Sequence, residues 1–370
     1  MTQTAAALRE RLLAVISRGA DAALGDEEFD ALARDVFAHQ LAHNAPYRAY
    51  CERRGATPDR IAHWTEIPAV PTDAFKAAPL VCGDPALARV VFRTSGTTAG
   101  AERRGTHYFP DVALYDAALR AGFATHLLPD GARPRVLSLV PAPEIQPDSS
   151  LSHMVGEVVA AFGPRGSEFM IDASGLRVEQ LLVALREAEA SGEPVLVPGT
   201  SFAFVHLLDA LAERGERVRL PAGSRVMDTG GFKGRSRVVP RAELYAAIED
   251  GLSVPVAWVV NEYGMTEMSS QFYDGVAGQA PPVPERIYRG PGWVRTLAYD
   301  PETLRPLPDG QTGVLRHWDL ANLGSVMALQ TADLGSVTPG GGFELHGRAR
   351  GAEARGCSIA MDELLNALGR

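Results

Sequence analysis

The chain has 370 residues, 46% of them hydrophobic, and a formal net charge of −9; such a length and composition suit two or three globular domains of roughly 100–200 residues each. The acidic balance, with no lysine/arginine cluster long enough to follow a phosphodiester backbone, sets nucleic acid aside as a partner. No window approaches about 18 uncharged apolar residues, so no membrane span is expected.

The first residues, with Arg9, Glu10 and Arg11, have no unbroken apolar stretch and do not read as a signal peptide. Leu8, Leu12, Leu13 and Ile16 mark one face of a helix over 3–18, and Phe29, Leu32, Val36 and Phe37 one face of a second over 26–44. A Pro-punctuated helical segment follows, and residues 1–85 are expected to pack on the main domain as scaffold. Apolar runs at 88–93, 134–140, 194–198, 224–228 and 255–260 then alternate with helical patterns at 110–126, 150–162, 176–190, 201–214 and 240–250. That alternation predicts an α/β core of parallel βαβ units over 86–284. Short strands broken by Pro and Gly suggest a small antiparallel sheet or barrel-like subdomain over 285–347. A tail over 348–370 ends in a short helix.

Three small-residue turns fall at the ends of expected strands, where α/β sheets bind ligands. The first, Thr94-Ser95-Gly96-Thr97-Thr98-Ala99-Gly100, offers backbone N–H groups and hydroxyls together, which suits phosphate oxygens. It lacks the Walker A order, and alone it would read as a polar turn. The others are Asp228-Thr229-Gly230-Gly231 and Asn261-Glu262-Tyr263-Gly264. In the segment that follows the strand at 255–260, Tyr263 could stack on a flat base, Thr266 could reach a phosphate and Glu267 could hold Mg²⁺ beside substrate phosphates.

Together these segments resemble the adenylate-forming superfamily of acyl-CoA synthetases, carrier-protein adenylation domains and luciferases. TSGTTAG resembles its phosphate loop, and Tyr263-Gly264-Met265-Thr266-Glu267 its Y-G-x-T-E motif. Gly230-Gly231 resembles the turn against adenine, Asp333 the aspartate that binds the ribose hydroxyls, and Gly347-Arg348 with Arg355-Gly356 the G-R…R-G hinge. The resemblance implies the large domain of that superfamily, with ATP and Mg²⁺ as cofactors, Asn261 and Glu262 beside the nucleotide, and Arg348 at its ribose end. Two departures stand out. Ala99 replaces a glycine and no lysine follows the loop, so Arg103 or Arg104 would supply the charge. The superfamily continues past the hinge for about 100 residues, a domain's length, whereas this chain ends 22 residues after Arg348 with no lysine in that stretch; the lid domain is expected to be missing or vestigial.

A short chain of this kind is similar to the LuxE-type acyl-protein synthetases of bacterial bioluminescence, which activate a fatty acid as its adenylate and take the acyl group onto their own cysteine. Cys357 in Arg355-Gly356-Cys357-Ser358 matches that cysteine, and the segments 229–237 (with Phe232) and 148–154 (with His153) resemble the family as well; His153 and Phe232 are expected at the acyl pocket. The chemistry agrees, since positive charge two residues away at Arg355 favours the thiolate, and a thiolate attacks a mixed anhydride without further activation. Cys51, Cys82 and Cys357 are odd in number and lack metal spacing, consistent with free thiols in a reducing cytoplasm. The reading is an acid–thiol ligase acting on a carboxylic, by resemblance fatty, acid, with an acyl reductase or carrier protein as partner. Transfer to CoA or a carrier phosphopantetheine, a non-catalytic nucleotide-binding subunit, and a serine hydrolase built on Ser201 with His317 or His346 remain as alternatives.

Overall fold

Residues 3–94, 104–230 and 239–349, with 361, 363 and 365–367 of the tail, are described by a computed structural model. In chain order the helices are α1 (Gln3–Ile16), α2 (Asp26–His43), α3 (Ala45–Arg53), α4 (Ala113–Leu127), α5 (Ser150–Phe162), α6 (Val178–Ser191), α7 (Ser201–Arg214) and α8 (Arg241–Leu252). The strands are β1 (Val70–Pro71), β2 (Val90–Arg93), β3 (Thr106–Phe109), β4 (Arg135–Ser138), β5 (Glu168–Phe169), β6 (Ile171–Asp172), β7 (Gly175–Leu176), β8 (Val195–Thr200), β9 (Arg225–Thr229), β10 (Val259–Tyr263), β11 (Phe272–Tyr273), β12 (Val294–Tyr299), β13 (Thr312–Asp319), β14 (Ala328–Val337) and β15 (Phe343–Arg348). The chain forms two units: the first takes residues 1–122, 265–271 and 288–370, the second 123–264 and 272–287.

The second unit is the parallel sheet that the alternation foretells. Its strand order is β11-β10-β9-β8-β4-β5, all parallel except β11. β8 and β9 are buried almost throughout, β8 on apolar Val195, Leu196 and Val197 and β9 on Val226 and Met227 flanked by buried Arg225, Asp228 and Thr229, as expected for strands covered on both faces. The helices start and stop on local chemistry: Ser149 and Thr200 cap α5 and α7 by accepting from Ser152 and Ala203 N–H, and Gly192 and Gly215 end α6 and α7 in the left-handed region. A core of Leu137, Leu181, Leu185, Val197, Phe204, Leu207, Ile248 and their neighbours fills the space between helices and sheet.

The first unit holds the expected antiparallel sheet. β12, β13 and β14 form a meander, and β14 carries both β15 and the two-residue β1 on its far edge, β1 running parallel at Val70–Leu329 and Pro71–Gln330. Tyr47 and Tyr50 of α3 hold the segment before β1 by donating to the carbonyls of Pro68 (2.9 Å) and Ala69 (3.1 Å). Trp64 packs edge-on against Trp318 of β13 and Phe29 of α2.

Two expectations need correction. The apolar run at 88–93 is not a strand of the parallel sheet: β2 pairs antiparallel with β3 in a two-stranded hairpin of the first unit. The sequence spacing between the two strands admits either connection; the pairing of Val90 with Phe109 and Arg93 with Thr106 makes it antiparallel. The run at 255–260 is strand only from Val259, because Val256–Trp258 form a 3₁₀ turn. The carbonyls of Val256 and Val259 are taken by the buried Arg286 guanidinium (2.9 and 2.7 Å), a partner no local pattern announces.

Candidate active site

In the second unit, polar side chains gather beyond the carboxyl ends of β8, β9 and β10. Asp228 is buried and accepts from Ser201 Oγ (2.7 Å), Asn261 Nδ2 (2.7 Å) and Tyr245 Oη (3.2 Å). Burial dominates its carboxyl and raises the pKa from 3.8 to about 6, even with those donors and Arg241 pulling it down. Thr229 Oγ1 donates to Glu262 Oε2, so the ends of the paired strands β9 and β10 are tied by side chains as well as backbone. Gly230 leaves β9 with φ of 72°, a conformation that favours glycine, and its carbonyl accepts from Ser201 Oγ at 2.9 Å. Tyr263 is half-buried, its ring tilted against Phe272 with centroids 5.8 Å apart. Buried Asp274 accepts from the Asn261 N–H (2.7 Å) and pairs with Arg286 (3.1 Å) and Arg241 (3.3 Å), which fixes the strand end from below.

Ser201 does not have the surroundings of a hydrolase nucleophile. Its hydroxyl is committed to a carboxylate and a carbonyl rather than to an imidazole. His317 and His346 are engaged inside the first unit's sheet, with Thr296 Oγ1 and Ser336 Oγ, both at 2.9 Å.

In the first unit the segment 265–271 is held on the loop after β13. Asp319 accepts from Ser269 N–H (2.9 Å), Ser270 Oγ (2.8 Å) and Ala321 N–H (3.1 Å), and Asn322 donates to the carbonyls of Glu267 (2.9 Å) and Val326 (2.8 Å). Gln40 and Asn44, buried amides on α2 and at its end, in turn hold residues 322–327 through the carbonyls of Asn322 (2.8 Å) and Ser325 (3.1 Å). His107 of β3 lies with Nδ1 2.7 Å from the Thr266 carbonyl oxygen. A carbonyl only accepts, so Nδ1 carries the proton; burial keeps this imidazole neutral, with its pKa lowered to about 4.

The outcome is that Glu267 is buried at 7% exposure, and burial raises its carboxyl from 4.5 to about 7. Its own N–H and the positive charges of Lys76 and Arg348 act in the opposite direction, while Asp73 adds to the rise. Among the described residues no other residue donates a hydrogen bond to this carboxylate. Asp333 and Arg348 are register partners on β14 and β15, joined by an Arg348 Nε to Asp333 Oδ1 bond of 3.1 Å, with the arginine side chain 74% exposed. At the end of the β2–β3 hairpin Thr94 pairs with Gly105: Thr94 N–H donates to the Gly105 carbonyl (2.9 Å) and Thr94 Oγ1 accepts from Gly105 N–H (2.8 Å). Arg104 donates to the carbonyls of Thr94 (2.5 Å) and Arg93 (3.1 Å), so part of its guanidinium closes the stem of the loop.

The first unit thus brings Thr94, Thr266, Glu267, Asp333 and Arg348 into one body, and the second holds Gly230, Asn261, Glu262, Tyr263 and Gly264, with His153 half-buried on α5. Ser95, Gly96, Thr97, Thr98, Gly100, Arg103, Gly231, Phe232, Arg355 and Cys357 lie outside the described residues. Sequence reasoning missed the positioning groups His107, Asp319, Asn322, Asp274 and Arg286. The one available signal was the aspartate that ends β13, Asp319, with an asparagine, Asn322, three residues later.

The family model described as "Acyl-protein synthetase, LuxE" matches residues 137–366. The long-chain-fatty-acid–luciferin-component ligase of Vibrio harveyi is 22% identical over 361 residues, covering 91% of this chain and 88% of that protein. The enzyme of the same name from Aliivibrio fischeri is 24% identical over 354 residues, with the same coverage of 91% and 88%. Among solved structures, 2-hydroxyisobutyryl-CoA ligase in its postadenylation state, in complex with 2-HIB-AMP, superposes with a TM-score of 0.65 at 18% identity, over 87% of this chain and 67% of that one. An open conformation of that ligase with 2-HIB-AMP and CoA gives a TM-score of 0.61 at 17% identity, over 87% and 69%. These likenesses show the fold, and the family match extends over well more than half of the sequence: the chain belongs to the LuxE family of acyl-protein synthetases, ligases built on the adenylate-forming fold.

Proposed function

We propose that this protein activates a long-chain fatty acid with ATP and takes the acyl group onto Cys357, for delivery to a reductase. A carboxylate oxygen of the acid attacks the α-phosphorus of ATP, the bond to pyrophosphate breaks, and an acyl adenylate forms. The Cys357 thiolate then attacks the acyl carbon; AMP leaves with the bonding pair, and the thiol proton goes to solvent. The named relatives act on a long-chain fatty acid and a luciferin component, which supports the substrate class.

The observation that carries the adenylation step is Glu267, a buried carboxylate with no donor from another described residue, beside Thr266 and within the field of Lys76 and Arg348. Keeping a buried carboxylate ionised is costly, and a bound cation offsets that cost. Mg²⁺ fits, because it takes one or two protein carboxylates and completes its shell with phosphate oxygens and water; bound there it would neutralise charge on the departing pyrophosphate. The chain's own contribution is positioning and electrostatics. In this reading residues 94–100 with Arg103 hold phosphates, Tyr263 and Gly230-Gly231 serve adenine, Asn261 and Glu262 belong to the nucleotide site, and Asp333 with Arg348 binds the ribose end. His153 and Phe232 line the acyl pocket.

The acceptor reading is supported by contrast. Burial raises the Cys51 and Cys82 thiols to about 12, so neither is a nucleophile near neutral pH. Incubation with ATP, Mg²⁺ and a fatty acid yields an acyl–protein adduct released by neutral hydroxylamine. Cys357→Ser keeps acid-dependent ATP–pyrophosphate exchange and loses the adduct. If Cys357→Ser is labelled as well as the wild type, self-acylation is wrong; transfer to added CoA or a phosphopantetheine carrier by that variant would make those the acceptors.

A further inference from the structure

The 3₁₀ turn Thr72–Lys76 of the first unit belongs to none of the motifs above, yet three elements of the expected nucleotide site meet on it. Phe75 stacks edge-on against His107 (centroids 5.4 Å apart, 68° between planes), and His107 carries the Thr266 carbonyl at 2.7 Å. Phe75 also lies against the stem of the small-residue loop: a Cβ placed on Gly105 would sit 3.4 Å from Phe75 Cβ and 3.1 Å from Thr94 Cγ2. The two residues before the turn form β1, which pairs with β14 at Leu329 and Gln330, three positions before Asp333 on the same strand. The last residue of the turn, Lys76, is the one lysine among the described residues. Its charge and that of Arg348 both reach the Glu267 carboxylate.

We propose that Lys76 is a phosphate ligand of this enzyme, the cation that meets the triphosphate of ATP between Thr94 and Glu267; the proposal rests on the nucleotide-binding reading given above. Lys76 Nζ is held by Asp73 Oδ1 at 2.6 Å in an exposed i,i+3 pair, with the lysine side chain 37% exposed. Such a pair is weak in water, so a triphosphate, carrying several charges, can take the ammonium from Asp73. The turn itself cannot follow, because Ala74 and Phe75 are buried and β1 anchors it to the sheet. An ammonium on a flexible stem from a rigid turn suits a group that must follow charge from the ground state to the transition state.

Two measurements test this. An acyl-phosphate derivative of ATP, which acylates amines lying at the phosphates, labels Lys76, and excess ATP prevents it; the peptide is read by mass spectrometry in a chain with only two lysines. Lys76→Gln lowers kcat for acid-dependent ATP–pyrophosphate exchange by about 100-fold, the usual cost of one charge-stabilising donor, with an unchanged melting temperature, and Lys76→Arg recovers part of the loss. Labelling of Lys76 that ATP does not suppress, or wild-type exchange in Lys76→Gln, overturns the assignment. Wild-type protein that exchanges no pyrophosphate with any acid overturns the adenylation reading instead, and the labelling then decides Lys76 by itself.

Discussion

Glu267→Gln should abolish adenylation and at the same time make the free protein more stable at alkaline pH. The carboxyl titrates near 4.5 when exposed and at about 7 in the folded protein, because burial disfavours its charge. Above pH 7 it is ionised in both states, and the folded protein bears the full penalty; at about 1.4 kcal/mol per pH unit between the two values this is roughly 3 kcal/mol. Below pH 4.5 it is protonated in both states and the penalty is gone. A raised pKa therefore contributes stability that is complete below about 4.5 and is lost as the pH climbs through about 7. Glutamine keeps the shape without the charge but brings an amide that needs partners, so the net gain at pH 8 is about 1–3 kcal/mol, a few degrees in melting temperature for a unit of this size. Calorimetry of wild type and variant without nucleotide, from pH 4.5 to 8.5, measures it. A Glu267→Gln protein that melts below wild type at pH 8, or a difference between the two that does not change with pH, would refute the reasoning. Stability withheld at a site that must hold charge is the expected trade at a functional position.

Two further outcomes follow from the hydrogen bonds. Asn322→Ala removes two buried donor bonds, to the Glu267 and Val326 carbonyls, and the acceptor of Ser269 Oγ (3.1 Å); we expect a loss of about 2–4 kcal/mol in denaturant unfolding together with a raised KM for ATP, and a change below about 0.5 kcal/mol would show that the staple does not hold Glu267. Ser201→Ala strips one donor from buried Asp228 and should cost roughly 1–2 kcal/mol while exchange and self-acylation continue, whereas a serine nucleophile would lose about 10⁴-fold or more in rate; acyl transfer abolished in a folded Ser201→Ala protein would restore the hydrolase reading.

Much of the architecture was legible from pattern. The 3.6-residue periodicity of α2 and α7, the caps at Ser149 and Thr200, and the apolar runs of β8 and β9 are local signals, and local signals survive in the tertiary structure when nothing competes with them. The run at 88–93 misled because a buried hairpin strand and a buried parallel strand present the same short apolar stretch, and only the partner distinguishes them. The 3₁₀ turn at 256–258 escaped for a similar reason, since the Arg286 side chain that claims its carbonyls is 30 residues away.

The amino-acid sequence by itself determined the α/β class, the family resemblance through the residues at 94–100, 263–267 and 347–357, and the identity of the thiol to test. Those are properties of residue types at short spacing. Only the tertiary structure decided the state of the groups that would do the work. Glu267 is raised to about 7 and left without a donor from another described residue, His107 is neutral with its proton on Nδ1, Ser201 is bound to Asp228, and the turn that carries Lys76 packs through Phe75 against His107 and Gly105 and joins β14 through β1. Charge, burial and hydrogen-bond partnership are set by residues far apart in the chain, as with Gln40 and Asn322, 282 positions from one another, and no window of sequence contains them.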